Sequence, residues 1–275
     1  MLFTARYSRF ERANYLRRFG GVARLYGEET VHAFKRCHVA VIGIGGVGSW
    51  VAEALARSAV GYLTLIDLDN ISESNTNRQI HALNGNYGKP KVAAMAERIA
   101  EIHPQCVVTQ VEDFVGFDNL DTRLGDRYNY IVDAIDSVRT KAALIAWCVQ
   151  KRIPLVTVGG AGGQLDPTRI RINDLAHTIQ DPLLSKVRVQ LRKHYGFPRA
   201  TKAKFNVPAV YSDEQLIYPK ANAGGWHRTA AFGRLNCAGF GSSVCVTGGF
   251  GFVAAAHVLH ALASCKPVCA PGFSE

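Results

Sequence analysis

Residues 38–67 read HVAVIGIGGVGSWVAEALARSAVGYLTLID. The opening HVAVI is small, apolar and β-branched, as a strand buried on both faces requires. Glycines then interrupt it, and apolar residues return at Val51, Ala54, Leu55 and Ala59 with the spacing of a helix face. YLTLID reads as a second buried strand. The stretch therefore predicts strand, tight turn, helix and parallel strand.

The same alternation continues outward. KPKVAAMAERIAEI predicts a helix with Pro90 in its first turn, VVTQVE and YIVDAID predict strands, SVRTKAALIAWCVQK a helix and IPLVTVGG another strand. Strands alternating with helices through about residue 160 imply a parallel sheet with right-handed crossovers, an α/β doubly wound, Rossmann-like fold. GGQLDPTRIRIND predicts an antiparallel hairpin arm turning at Asp166-Pro167. The expected organisation is one domain over 1–275, with a helical arm (1–36), a nucleotide-binding core (37–160) and a C-terminal part (161–275).

The chain of 275 residues is 48% hydrophobic and 20% charged, ordinary for a soluble globular protein, and its net charge of +10 suits a polyanionic partner. Much of that charge sits in a basic insert at 185–204, SKVRVQLRKHYGFPRATKAK, which has seven Lys or Arg and no acid. Arg6, Arg9, Arg12, Arg17 and Arg18 extend the same sign along the arm. Seven cysteines at irregular spacing form no disulfide framework, so a reduced cytoplasmic protein is expected. Residues 235–265 contain no Asp, Glu, Lys or Arg. With helical character confined to about 248–263, a buried helix or subunit contact is expected there in preference to a membrane span.

Gly43, Gly45 and Gly48 form G-x-G-x-x-G between strand and helix, with Gly46 as an additional glycine. Lacking side chains, they let backbone N–H groups and a helix N-terminus approach phosphate oxygens. Asp67 ends the second strand, where a carboxylate accepts both hydroxyls of a ribose; that suits NAD, FAD and ATP alike. The residues beyond it separate these ligands. Asn75, Asn77, Arg78 and Gln79 follow in the loop, Lys91 lies on the next helix, and Asp136 ends the DAID strand; a doubly wound sheet brings such carboxyl ends to one crevice. Hydride transfer has no use for two cations and a second carboxylate. ATP cleavage does: Arg78 and Lys91 neutralise a triphosphate, and Asp136 holds Mg²⁺ bridging its oxygens. An NAD-linked oxidoreductase is the weaker reading.

GIGGVGSW, LIDLDNISESNTNRQ, GKPK, VDAIDS and VTVGGAGG resemble the E1-like, ThiF-type adenylating superfamily that activates ubiquitin-like and sulfur-carrier proteins. RFGGVARLYGEE, NTNRQIHAL, DAIDSVRTKAALI, GGAGGQLDPT, TIQDPL and NCAGFGSSV more closely resemble the bacterial tRNA threonylcarbamoyladenosine dehydratases, over nearly the whole chain. The resemblance implies ATP-dependent cyclisation of N6-threonylcarbamoyladenosine at position 37 of tRNA through a carboxylate adenylate. Its cofactors are ATP and Mg²⁺, with a monovalent cation left open. It further implies that Asp67 binds the ribose, that Asn75, Arg78 and Lys91 handle phosphates, and that Asp136 holds Mg²⁺. A homodimer is expected, in which Arg18 or Arg24 of one subunit reaches the other's ATP; a sulfur-relay partner of the cysteine desulfurase system is a further candidate.

On this reading the insert contacts tRNA through Arg192, Lys193, Lys202 and Lys204, and Tyr195 and Phe197 are candidates either to stack on loop bases or to pack in the core. Some sulfur-carrier enzymes of the superfamily hold zinc with paired C-x-x-C motifs; none occurs here, so no structural zinc is expected and activation of a carrier protein is the second reading. Cys237 is the candidate for a thioester-forming cysteine, although ring closure onto an adenylate needs none. His227 and Arg228 are further substrate-contact candidates.

Overall fold

The computed structural model describes residues 9–125, 128–218 and 240–264. An arm of two helices, α1 (Arg9–Tyr26) and α2 (Glu28–Phe34), leads into β1 (His38–Ile42), α3 (Gly48–Arg57), β2 (Tyr62–Ile66), α4 (Lys91–Ile102) and β3 (Val107–Val111). A short α5 (Leu120–Arg123) precedes β4 (Tyr130–Asp133), α6 (Val138–Lys151) and β5 (Leu155–Val158). Then come β6 (Ile170–Asp174), α7 (Pro182–His194), β7 (Pro208–Ser212) and α8 (Val244–Ser264).

The strands form one sheet of seven in the order β3-β2-β1-β4-β5-β7-β6. Every neighbouring pair is parallel except β6 with β7. Because side chains alternate across a strand, β1 supplies both faces. Val39 and Val41 pack with Val51 and Leu55 of α3 and Val246 and Phe250 of α8, whereas Ala40 and Ile42 pack with Leu144 of α6 and Leu184 of α7. Covered on both sides, the central strands are apolar at most positions, which is why they read as near-continuous runs, and their few buried polar residues, Thr64, Asp133 and Thr157, are hydrogen-bonded.

Two details depart from the sequence reading. The predicted hairpin at Asp166-Pro167 does not form: these residues open a single 3₁₀ turn capped by the Asp166 carboxylate, and β6 pairs antiparallel with the distant β7. β7, from the short NVPAVYS stretch, was not foreseen and inserts parallel to β5. The apolar run becomes α8, long and apolar enough to cross a membrane, but its Val246, Phe250, Ala254, Val258 and Leu262 are buried in the core. Gly251 lets it close on α3: a Cβ there would lie 2.7 Å from the Trp50 Cβ.

Candidate active site

The carboxyl ends of β1, β2, β4 and β5 open into one cleft of about 1010 Å³. Gly43, Gly45, Gly46, Asp67, Asn75, Arg78, Lys91 and Asp136 all line it, so residues scattered over nearly a hundred positions share one wall system, as a doubly wound topology predicts. Gly48 lies beneath the turn instead. A Cβ on it would fall 1.7 Å from the Gly43 carbonyl oxygen, so it serves the close approach of α3 to β1. Gly43 itself has φ +90, a left-handed conformation that favours glycine.

Asp67 stands at the end of β2 with its carboxylate almost fully buried. Its Oδ2 accepts from the Ile44 N–H at 2.7 Å and its Oδ1 from the Asp69 N–H at 2.8 Å. Burial pushes its pKa above the usual carboxylate value, opposed by the nearby Lys91 ammonium and these two N–H groups. Lys91, the first residue of α4, places Nζ 3.6 Å from Asp67 Oδ1 and 2.7 Å from Asp69 Oδ2. Asn75 is buried in a one-turn 3₁₀ helix, its Oδ1 accepting from the Ser72 N–H at 3.0 Å. Arg78 passes its stem over Gly46, and its Nη1 donates to the Ser74 carbonyl at 2.8 Å; the Trp50 indole in turn donates to the Arg78 carbonyl at 3.0 Å. Asp136 lies half-buried on the opposite wall, three residues past the end of β4.

The strand's own last residue, Asp133, is fully buried and pairs with the equally buried Lys141 ammonium at 2.9 Å, with Thr157 bonded to both. This group ties α6 to β4 and β5 below the cleft. Asp181, also buried, caps α7 through the Leu184 N–H at 2.8 Å and accepts from the Gly160 N–H at 2.9 Å. Burial raises its pKa, opposed by those N–H groups and by Lys141. His81 is buried behind the glycine turn, with Nε2 2.9 Å from the Ile44 carbonyl and a pKa pushed down by burial to about 4. None of these four positions was singled out from sequence. A hydrophobic pattern does not distinguish a buried ionisable residue from a surface one, and only their place in quoted motifs marked them.

The remaining candidates lie elsewhere. Arg18 donates from Nη1 to the Glu101 and Ile102 carbonyls at 2.9 and 2.8 Å, at the C-terminus of α4, where a cation complements the helix dipole. Arg24 is exposed in the last turn of α1. Lys193, Lys202 and Lys204 are exposed, whereas Arg192 is half-buried, donating to the Pro198 carbonyl at 3.1 Å and covering the Phe205 ring. Tyr195 and Phe197 are partly buried against the α6–α7 core, which favours packing for them over stacking on bases. Cys37 and Cys106 are half-buried and Cys148 is buried, consistent with packing roles. Burial pushes the Cys106 thiol up to about 12. Cys237, His227 and Arg228 lie outside the described residues.

A glycine turn, a carboxylate at the end of β2, two cations and a second carboxylate around one cleft meet the requirements of a nucleoside triphosphate whose phosphates are to be cleaved. Residues 17–274 match the ThiF family. The chain belongs to that family. It is similar to the tRNA threonylcarbamoyladenosine dehydratase of Escherichia coli, 54% identical over 246 residues that cover 88% of this chain and 92% of the relative. The crystal structure of the E. coli dehydratase in complex with ATP superposes with a TM-score of 0.82 at 50% identity, covering 90% of this chain and 95% of that one. The same enzyme in complex with AMP matches with the same score, identity and coverage.

Proposed function

We propose that this protein uses ATP to dehydrate N6-threonylcarbamoyladenosine in tRNA, giving the cyclic form. The observation that carries this reading is the convergence of Asp67, Arg78, Lys91 and Asp136 on one cleft, in a chain similar along nearly its whole length to a dehydratase solved with both ATP and AMP.

The substrate carboxylate attacks the α-phosphorus of ATP and pyrophosphate leaves, which gives an acyl-adenylate. A nucleophile within the same modified base then attacks the acyl carbon, and AMP departs with one carboxylate oxygen. ATP becomes AMP and pyrophosphate, and the nucleoside loses one water. Closure within one molecule is nearly free of encounter entropy, so activation and positioning suffice. Asp67 has lone pairs remaining for the ribose hydroxyls. Arg78 and Lys91 stabilise charge on the phosphates, and the buried setting of Lys91 strengthens its share. A single half-buried carboxylate beside phosphate oxygens and water suits Mg²⁺, so Asp136 is the residue that would hold it. The ion would neutralise the departing pyrophosphate.

Lys193, Lys202 and Lys204 are read as phosphate contacts to tRNA, with Arg192 holding the loop. Arg18 is engaged within its own subunit, which leaves Arg24 as the better candidate to reach a second copy's ATP in a homodimer. We read the chain as a single domain, since β6 and β7 join the same sheet as the nucleotide-binding strands, and as soluble and cytoplasmic from its similarity to a tRNA-modifying enzyme. The decisive test incubates the protein with ATP, Mg²⁺ and modified tRNA, followed by mass spectrometry of the nucleosides. An ATP-dependent loss of the mass of one water supports the reading. An unchanged nucleoside, with pyrophosphate exchange only on adding a sulfur-carrier protein, overturns it.

A further inference from the structure

Inside the glycine turn stands Ile44, whose backbone is gripped at both ends. Its N–H donates to Asp67 Oδ2 at 2.7 Å, and its carbonyl accepts from His81 Nε2 at 2.9 Å. A carbonyl only accepts, so Nε2 carries the ring proton. His81 is 1% exposed, and its Nδ1 has no partner among the described residues. Burying an unpaired ring nitrogen is unfavourable, and an apolar side chain would fill this site without that cost. What the imidazole supplies and an apolar residue does not is the bond to Ile44.

That bond has a consequence for the cleft. A trans peptide is planar, and its C=O and N–H point in opposite directions. With the Ile44 carbonyl turned to His81 in the interior, the Gly45 N–H of the same peptide unit is turned the other way, and Gly45 lines the cleft. Flipping this unit changes ψ of Ile44 and φ of Gly45, and glycine adopts either sign of φ readily. The glycine that allows close approach to phosphates thus also leaves the peptide cheap to invert, and inversion would aim a carbonyl oxygen at an anion.

We propose that His81 is a positioning residue for ATP, locking the Ile44–Gly45 peptide with its N–H toward the phosphates. This rests on the reading of the cleft as an ATP site. The test compares His81→Leu, which fills the space without a donor, with His81→Gln, whose amide reaches the position of Nε2. Calorimetric titration with ATP and with adenosine is combined with thermal melting as a control of folding. H81L is expected to bind ATP roughly tenfold or more weakly while adenosine binding changes little. In turnover, the KM for ATP rises and the KM for tRNA does not, and H81Q recovers most of the loss. If H81L does not fold, His81→Asn serves in its place, because its amide reaches the position of Nδ1 but not of Nε2. A folded donor-less variant that binds ATP as the wild type does, equal losses in the donor-less variant and H81Q, or equal losses for ATP and adenosine would each overturn the proposal. Absence of ATP binding by the wild type would instead overturn the reading of the cleft.

Discussion

The cleft has two glycine-rich walls, and each is fastened by a buried aspartate. On one side the GIGGVG turn, 43–48, gives the Ile44 N–H to Asp67; on the other the GGAGG loop, 159–163, gives the Gly160 N–H to Asp181. The difference lies in what each carboxylate faces. Asp67 lines the cleft and keeps acceptor capacity toward it. Asp181 takes one N–H on each oxygen, from Gly160 and Leu184, just as Asp67 does from Ile44 and Asp69, but it is sealed off from the cleft at 4% exposure, and a Cβ on Gly159 would sit 1.9 Å from its Oδ2. The first wall is built to meet a ligand, and the second is built to join the cleft to α7, the helix that starts the basic insert.

The comparison is most easily broken at Asp67. Asp67→Ala should lower ATP affinity about 100-fold, the loss expected when charged hydrogen bonds to a ligand are removed, with a much smaller effect on melting temperature. Calorimetric titration with ATP checks this, and an unchanged affinity would show that the first wall does not hold the ribose. On the far side of the second wall, reversing Lys193, Lys202 and Lys204 to Glu should raise the KM for tRNA roughly tenfold or more and flatten its dependence on salt. ATP binding should stay as it is. Unaltered tRNA affinity across a salt series would remove the insert from the RNA-binding surface.

Asp181→Asn sharpens the contrast with a smaller effect. One of the two N–H groups then faces an amide NH₂, so a buried donor loses its partner, at a cost of about 1–2 kcal/mol. Relief of the buried charge offsets part of this. A melting temperature lower by roughly 2–8 °C is expected, with ATP affinity within about threefold of wild type. A large loss of ATP binding without a change in melting would mean that the second wall also touches the nucleotide.

The two walls were not equally legible. Buried parallel strands announce themselves as apolar runs, so β1 and β2, the turn between them and Asp67 follow from HVAVIGIGGVGSW and YLTLID. Arg78, Lys91 and Asp136 followed from topology, which collects strand ends in one crevice. Asp181 and Lys141 were not legible, because their partners are backbone N–H groups and residues on other elements, and nothing in local spacing records them. β7 escaped for a related reason. Its PAVYS run is short and follows the basic insert, and it becomes a strand because β5 offers an open edge and β6 needs a partner.

Titration separates the histidine behind the first wall from the two aspartates, since Asp67 and Asp181 are both raised by burial. His81, behind the first wall, has its pKa lowered by burial from the ordinary 6.5 to about 4. The unfolded chain therefore takes up its proton first as pH falls, so the stability this histidine confers is complete above 6.5 and is lost between 6.5 and about 4. Asp181, behind the second wall, has its pKa raised, so the folded state takes up the proton first and mild acid favours it. His103 is likewise lowered by burial to about 4, under the N-terminal arm, and acts in the same sense as His81. Each histidine should cost about 1 kcal/mol of stability between pH 6.5 and about 5.5. In His81→Gln the slope of unfolding free energy against pH over that window should fall, with His103 and the likewise lowered His257 keeping part of it. Denaturant titrations at a series of pH values measure it. An unchanged slope would mean that the His81 ring is protonated in the folded protein, and that the first wall is not held by a neutral imidazole.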